Sequence, residues 1–167
     1  MTAHLCLTAH SIRPILAALE ALTQEAESRR SALLHDSGLV LAEYGEDAGQ
    51  DQGESGALAA GAFFTARHLA RRLGEESFAG LHYQGVHRDF FLTAVGSEAL
   101  LLVVFDQRTK PAIIRACVHK YLPALEAATA KLRDPLPPLP SESWVTDPPP
   151  PFRESSPAPD LAAVFSA

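Results

Sequence analysis

Seven consecutive apolar residues, Ala99–Phe105, constrain the fold of this chain more than any other feature of its sequence. A strand presents alternate side chains to opposite faces, so this run would put large apolar side chains on both faces of a sheet. Such a strand must lie inside the sheet and be covered on both sides. The run is too short to cross a bilayer, so no membrane insertion is expected.

Shorter runs indicate the other strands. SALLHD and LVLAEY are β-prone and are separated by Asp36-Ser37-Gly38, which is typical turn chemistry, so they predict a hairpin over residues 31–44. A polar loop rich in Gly, Asp and Gln follows over residues 45–55. Alternating runs near residues 79–85 and 87–95 predict two strands that lead into the apolar run.

Two segments have the spacing of amphipathic helices. Residues 12–29 carry apolar side chains at the helical period, and Ser11 is the expected N-cap. A later helix is predicted to begin near residue 110, with Thr109 as its cap. Pro123 should kink or split that later helix, because proline removes an amide donor and crowds the preceding turn.

The helix that is second in chain order is predicted over residues 56–73 and ends at Gly74. Its side chains are small or apolar on nearly all sides. One stripe contains Leu58, Ala62, Ala66, Leu69 and Leu73. Other positions on the helix are also small or apolar, which indicates that more than one of its sides is covered. The second half of the helix carries the densest positive cluster of the chain, Arg67, His68, Arg71 and Arg72.

The predicted order is therefore α–β–β–α–β–β–β–α, an α+β domain over residues 1–133 followed by a tail. This order has no βαβ unit with a Gly-rich turn, so a doubly wound nucleotide-binding fold is disfavoured. The start of the chain lacks the pattern of a secretory signal, and the two cysteines, Cys6 and Cys117, form no CxxC pair. A reduced, cytoplasmic setting is expected.

Residues 134–167 differ in composition from the rest of the chain. They hold ten of the thirteen prolines, five acidic residues and one arginine, which gives them a charge of −4 out of a net −6. They predict an extended spacer, and the acidic balance of the chain argues against nucleic-acid binding. A short docking helix over 160–166 is predicted by the helical spacing of three apolar residues, Leu161, Val164 and Phe165. The alternative is a frayed terminus with a chance apolar cluster.

The residues that could carry chemistry are few. His82 could pair with Asp89 or His87 as an acid–base or metal site, but alternation along a strand favours exposed, independent positions. Cys117 lies on the apolar stripe of the last helix, as a small core residue would. No nucleophile elbow occurs. We expect a protein that is not an enzyme and holds no cofactor and no metal.

Three local features, in this order and spacing, resemble the Roadblock family and within it the bacterial MglB-like regulators of MglA-type GTPases. They are LLHDSGLVLAEYG, LAAGAFFTARHLARRLGEESF, and SEALLLVVFD followed by a helix. The resemblance covers about residues 12–132. It implies a five-stranded antiparallel sheet sandwiched by helices. It also implies a homodimer in which the second helices lie side by side and the sheets join across the two-fold axis.

The resemblance implies a regulator of a small Ras-like GTPase, either a GTPase-activating protein or a platform, with a role in cell polarity or motility. MglB-like activators need no inserted arginine, although Arg67, Arg71, Arg72 and Arg88 are candidates. We expect the partner-binding residues to be Gly61, Phe64, Thr65, His68 and Arg72. We expect the dimer interface to contain Ala59, Phe63, Ala66, Ala70 and Tyr83.

Two other functions fit the same sequence. One is a dimeric scaffold that recruits partners through the Pro-rich tail and leaves GTP hydrolysis unchanged. The other is a profilin-like or sensor domain that holds a small ligand between sheet and helix, which the large apolar residues of the last strand disfavour.

Overall fold

The computed structural model of the protein describes residues 9–46, 48–49 and 53–133. The element order matches the prediction and ends in a single 3-10 turn. The predicted docking helix, with Leu161, Val164 and Phe165, lies outside the described residues. The elements are α1 (Ala9–Glu25), β1 (Arg30–His35), β2 (Val40–Gly45), α2 (Glu54–Arg72), β3 (Leu81–Tyr83), β4 (Asp89–Val95), β5 (Ala99–Phe105), α3 (Pro111–Ala130) and the turn Lys131–Arg133.

The five strands form one antiparallel sheet in the order β2-β1-β5-β4-β3. The apolar run is its central strand, as its sequence predicted. Leu101, Val103 and Phe105 face the layer formed by α1 and α3. Leu100 and Leu102 face α2, which is the one described helix on the other side. The layers are therefore unequal, with two helices on one face and one on the other.

An extra residue in β2 bends the first hairpin. Leu33 pairs with Ala42 and Leu34 pairs with Val40, so Leu41 has no partner of its own in β1. A bulge of this kind breaks the strict alternation of side chains along a strand. Both Leu41 and Ala42 consequently lie in the core beneath α1 and α3.

α1 ends in a motif that puts a non-glycine residue in the left-handed region. The amide of Glu27 donates to the carbonyl of Gln24 (3.2 Å), and the amide of Ser28 donates to the carbonyl of Thr23 (3.0 Å). Glu27 has a φ of 48°, at the position that glycine usually takes in this cap. The helix stops at Glu25 for this reason, four residues before the predicted end.

The predicted N-caps of α1 and α3 are wrong, and the split of α3 that was one of the two predicted effects of Pro123 does not occur. α1 begins at Ala9, so Ser11 lies within the helix and not at its N-cap position. Lys110, and not Thr109, is the N-cap residue of α3. The hydroxyl of Thr109 donates instead to the carbonyl of Glu27 (3.2 Å). Pro123 does not split α3. It is exposed, so water can hydrate the carbonyl that proline leaves without an amide partner.

β3 has three residues and is shorter than predicted. Side chains of β4 form hydrogen bonds with backbone groups just before and just after β3 in the chain. The hydroxyl of Thr93 donates to the carbonyl of Ala79 (3.0 Å), and the carboxylate of Asp89 accepts from the amide of Gly85 (3.1 Å). These contacts replace the ladder that a longer strand would form.

Candidate protein–protein interface

One side of α2 packs against the sheet through small residues and one large one. Gly56, Ala59, Ala60 and Phe63 follow the helical period and are buried. The Phe63 ring meets Phe78 edge-on at 5.2 Å between centroids. It fills the space between α2 and the central strands of the sheet. Two residues predicted for the dimer interface, Ala59 and Phe63, thus contact the chain's own sheet.

A second side of α2 is apolar and open to solvent. We call Leu58, Ala62, Ala66, Leu69 and Leu73 the apolar flank. Its three leucines are 67%, 59% and 75% exposed, in chain order. Exposed large apolar side chains in one line along a helix are typical of a surface that another protein covers.

The outer side of α2 carries four of the five predicted partner-binding residues. Gly61, Thr65, His68 and Arg72 are spaced by three or four residues and are all exposed. We call these four residues the outer strip. The fifth, Phe64, lies beside the strip and is half-buried, with its ring 5.9 Å from that of Phe63.

The remaining predicted dimer residues are dispersed. Ala66 belongs to the apolar flank and Ala70 is half-buried on the side of α2 nearer the sheet. Tyr83 is exposed on edge strand β3, and its ring stacks on Phe90 at 4.9 Å.

The leucines of the apolar flank form a stripe that is visible in the sequence, yet the predicted interface left them out. A signal was present. The small residues Gly56, Ala59 and Ala60 share a side with Phe63 at the helical period, which marks that side as the one packed on the sheet and leaves the leucine stripe on another side.

His82 and Asp89 are closer than their sequence positions predicted. His82 Nε2 lies 3.3 Å from a carboxylate oxygen of Asp89, and the imidazole stacks on Phe105 at 5.8 Å. The other oxygen of Asp89 accepts the amide of Gly85. The pair therefore ties β3 and its turn to β4. No group of three or more metal-binding side chains occurs among the described residues.

Cys117 is buried in the core beneath α1 and α3, as predicted. Burial raises the pKa of its thiol, and the negative charge of Glu25 acts in the same direction. Both effects disfavour the thiolate that a nucleophile would need. Of the helices in the described ranges, none has the length and apolar character to span a membrane.

Three solved structures share this arrangement. MglB of Myxococcus xanthus is similar with a TM-score of 0.70 and 25% identity, over 80% of this chain and 100% of that chain. The gliding protein MglB of Thermus thermophilus is similar with a TM-score of 0.69 and 23% identity, over 78% and 99% of the two chains. An MglB with a tetrameric arrangement gives a TM-score of 0.69 and 23% identity, over 79% and 99%. No curated protein matches the sequence.

The order of the elements and the single antiparallel sheet define the class of protein as a profilin-like, Roadblock-type fold. A family model described as the Roadblock/LC7 domain matches residues 15–105. The chain belongs to the Roadblock/LC7 domain family, and the resemblance drawn from its sequence, including the likeness to MglB, is confirmed.

Proposed function

We propose that the protein is a homodimeric, non-enzymatic regulator of a small Ras-like, MglA-type GTPase, as an activator or a platform. The observation that carries the proposal is the division of α2 into three sides. One side packs on the sheet, a second is the apolar flank and a third is the outer strip. A helix that served only its own core would have no reason to expose three leucines.

The homodimer is supported by the incomplete cover of the sheet. α2 is the one described helix on its face, and seven apolar residues there remain half-buried: Val40, Phe64, Phe78, Leu81, Phe90, Ala94 and Val104. A second α2 laid against the apolar flank would bury that flank and the part of the sheet face beside it. Contact between identical patches is the usual geometry of a two-fold dimer.

The GTPase partner is supported by the outer strip and by the MglB likeness. In a dimer whose interface is the apolar flank, the outer strip stays accessible in both copies. It consists of Gly61, Thr65, His68 and Arg72. We propose that they hold the GTPase in a conformation in which its own catalytic groups act, with no arginine inserted by this chain. The likeness to a Thermus protein that is named a gliding protein supports a role in cell polarity or motility.

Light-scattering mass tests the proposal. The purified protein is measured alone and then with a small GTPase from the same genome, loaded with GDP or a GTP analogue. We expect a dimer that gains the GTPase in the GTP-like state. A monomer, or a dimer that ignores the GTPase in both states, would contradict the proposal.

The alternative is a dimeric scaffold that uses residues 134–167 to recruit partners. Its support is the Pro-rich, acidic composition of that segment. Deleting the segment separates the two functions. A dimer that loses all partner binding on deletion favours the scaffold, whereas retained GTPase binding favours the regulator.

A further inference from the structure

α2 is a positively charged helix on an acidic protein. The chain has a net charge of −6, yet residues 55–74 contain three arginines and no Asp or Glu. Arg71 and Arg72 lie in the last turn, where the helix dipole favours cations. Within the described ranges, no ion pair engages either of them or Arg67, whereas Arg29 and Arg108 are both held by Asp106.

Arg67 is oriented by an aromatic ring. Its guanidinium carbon lies 5.6 Å from the centroid of Phe64, which is close enough for a cation–π contact. The contact holds one cation over Phe64, which lies beside the outer strip. The C-terminal half of α2 thus carries three arginines, one of which is oriented by an aromatic ring.

Gly61 has no reason to be glycine within its own chain. Glycine in the middle of a helix is less stable than alanine there. A Cβ built on Gly61 meets nothing within 4 Å, whereas one on Gly56 would lie 2.3 Å from the carbonyl oxygen of Gly38. An open glycine on an exposed helix side suits the close approach of a backbone from another molecule.

We propose that the segment of the GTPase that binds α2 is acidic and lies along the outer strip. Its backbone touches α2 at Gly61, and its carboxylates pair with Arg71 and Arg72 and accept a hydrogen bond from His68. Gly61 and Arg72 are separated by about 16 Å along the helix, the length of about five extended residues. The inference rests on the proposed function for the identity of the partner and adds the chemistry of the contact.

The test uses two full-length double variants with the same change in charge. Arg71→Glu/Arg72→Glu reverses the proposed contact. Arg13→Glu/Arg115→Glu reverses two exposed arginines of α1 and α3, on the other face of the sheet. A third variant, Gly61→Ala, fills the open position. Each variant is first required to have the wild-type mass in light scattering.

Binding is measured with two probes, by fluorescence anisotropy. One is the GTP-analogue-loaded GTPase, and the other is a labelled Glu- and Leu-rich extended peptide as a generic acidic segment. We expect Arg71→Glu/Arg72→Glu to weaken both by about tenfold or more, because like charges would then face each other. The matched double variant should bind as wild type does. Gly61→Ala should weaken the GTPase by about tenfold while its own fold becomes more stable.

Each outcome decides one of the two claims. Equal loss in both double variants, or GTPase binding unchanged by Arg71→Glu/Arg72→Glu and Gly61→Ala, overturns the acidic contact and leaves the regulator standing. Peptide binding that needs Arg71 and Arg72 in a protein that ignores the GTPase overturns the regulator, and with it the GTPase as the source of the acidic segment, but leaves α2 as a surface for acidic segments. A wild-type protein that binds neither probe overturns both.

Discussion

A Cβ on Gly56 would lie 2.3 Å from the carbonyl oxygen of Gly38, so the start of α2 and the turn of the first hairpin are in backbone contact. Gly56→Ala must push two backbones apart, and we expect it to destabilise the fold by about 1–3 kcal/mol. Denaturant unfolding measures the change. Gly61→Ala is the control in the same helix, and it should stabilise the fold by about 0.5–1 kcal/mol because the space around it is open. Equal effects at both sites would contradict the contact.

Replacing Glu27 with glycine should stabilise the protein. A left-handed conformation costs a non-glycine residue about 1–2 kcal/mol, and part of this relief is offset by the greater entropy that glycine gives the unfolded chain. We expect a net gain of about 0.5–1 kcal/mol in thermal or denaturant unfolding. The reverse change at the end of α2, Gly74→Ala with its φ of 89°, should destabilise by a similar amount. A Glu27→Gly protein less stable than wild type would show that the side chain contributes more than its backbone costs.

Asp106→Asn should remove a pH-dependent part of the stability. Hydrogen bonds from the side chain of Arg108, then from its amide and from Arg29, lower the pKa of Asp106. A carboxyl with a lowered folded pKa stabilises the fold above its unfolded pKa, about 3.9 for Asp, and this contribution is lost as pH falls through the folded pKa.

The loss caused by Asp106→Asn should therefore be full above about pH 4 and shrink at lower pH. Denaturant unfolding at a series of pH values measures it, with Glu75→Gln at an exposed position as the control. A difference that stays constant across pH would mean that the charge of Asp106 has no role.

Leu69→Arg should separate the proposed dimer without unfolding the chain. Leu69 is exposed in the single chain, so arginine is tolerated there, but a charge buried unpaired in a seam costs about 3–5 kcal/mol. Light scattering should report a monomer and circular dichroism a wild-type fold. Ile113→Arg, at an exposed position of α3, is the control, and this variant should remain a dimer. A dimeric Leu69→Arg protein would exclude the apolar flank as the seam.

The periodicity of the sequence was sufficient to predict the order of the elements and the central position of β5. A strand with apolar residues on both faces must lie inside the sheet. It was not sufficient for the helix ends. The end of α1 depends on Glu27 adopting a conformation that its residue type disfavours. The length of β3 depends on Thr93 and Asp89, whose side chains bind backbone groups beyond it.

The candidate interface could be predicted only in part. The small, apolar composition of α2 predicted that more than one of its sides is covered, but it did not indicate which side packs on the sheet and which is open to solvent. The close approach of the hairpin turn requires glycine at position 56, whereas the alanines at 59 and 60 pack with residues of the sheet, and both are tertiary properties. The large leucines consequently face outward, against the usual expectation that bulk lies inward.

The bulge at Leu41 lies in β2, which is one of the two edge strands of the sheet, and it affects pairing with a strand of another molecule. A foreign strand that pairs with β2 would meet a shift in register partway along and could not form a continuous ladder. The opposite border offers only the three residues of β3. Neither of these two borders offers a long, regular edge, which disfavours edge-to-edge pairing with strands of other molecules.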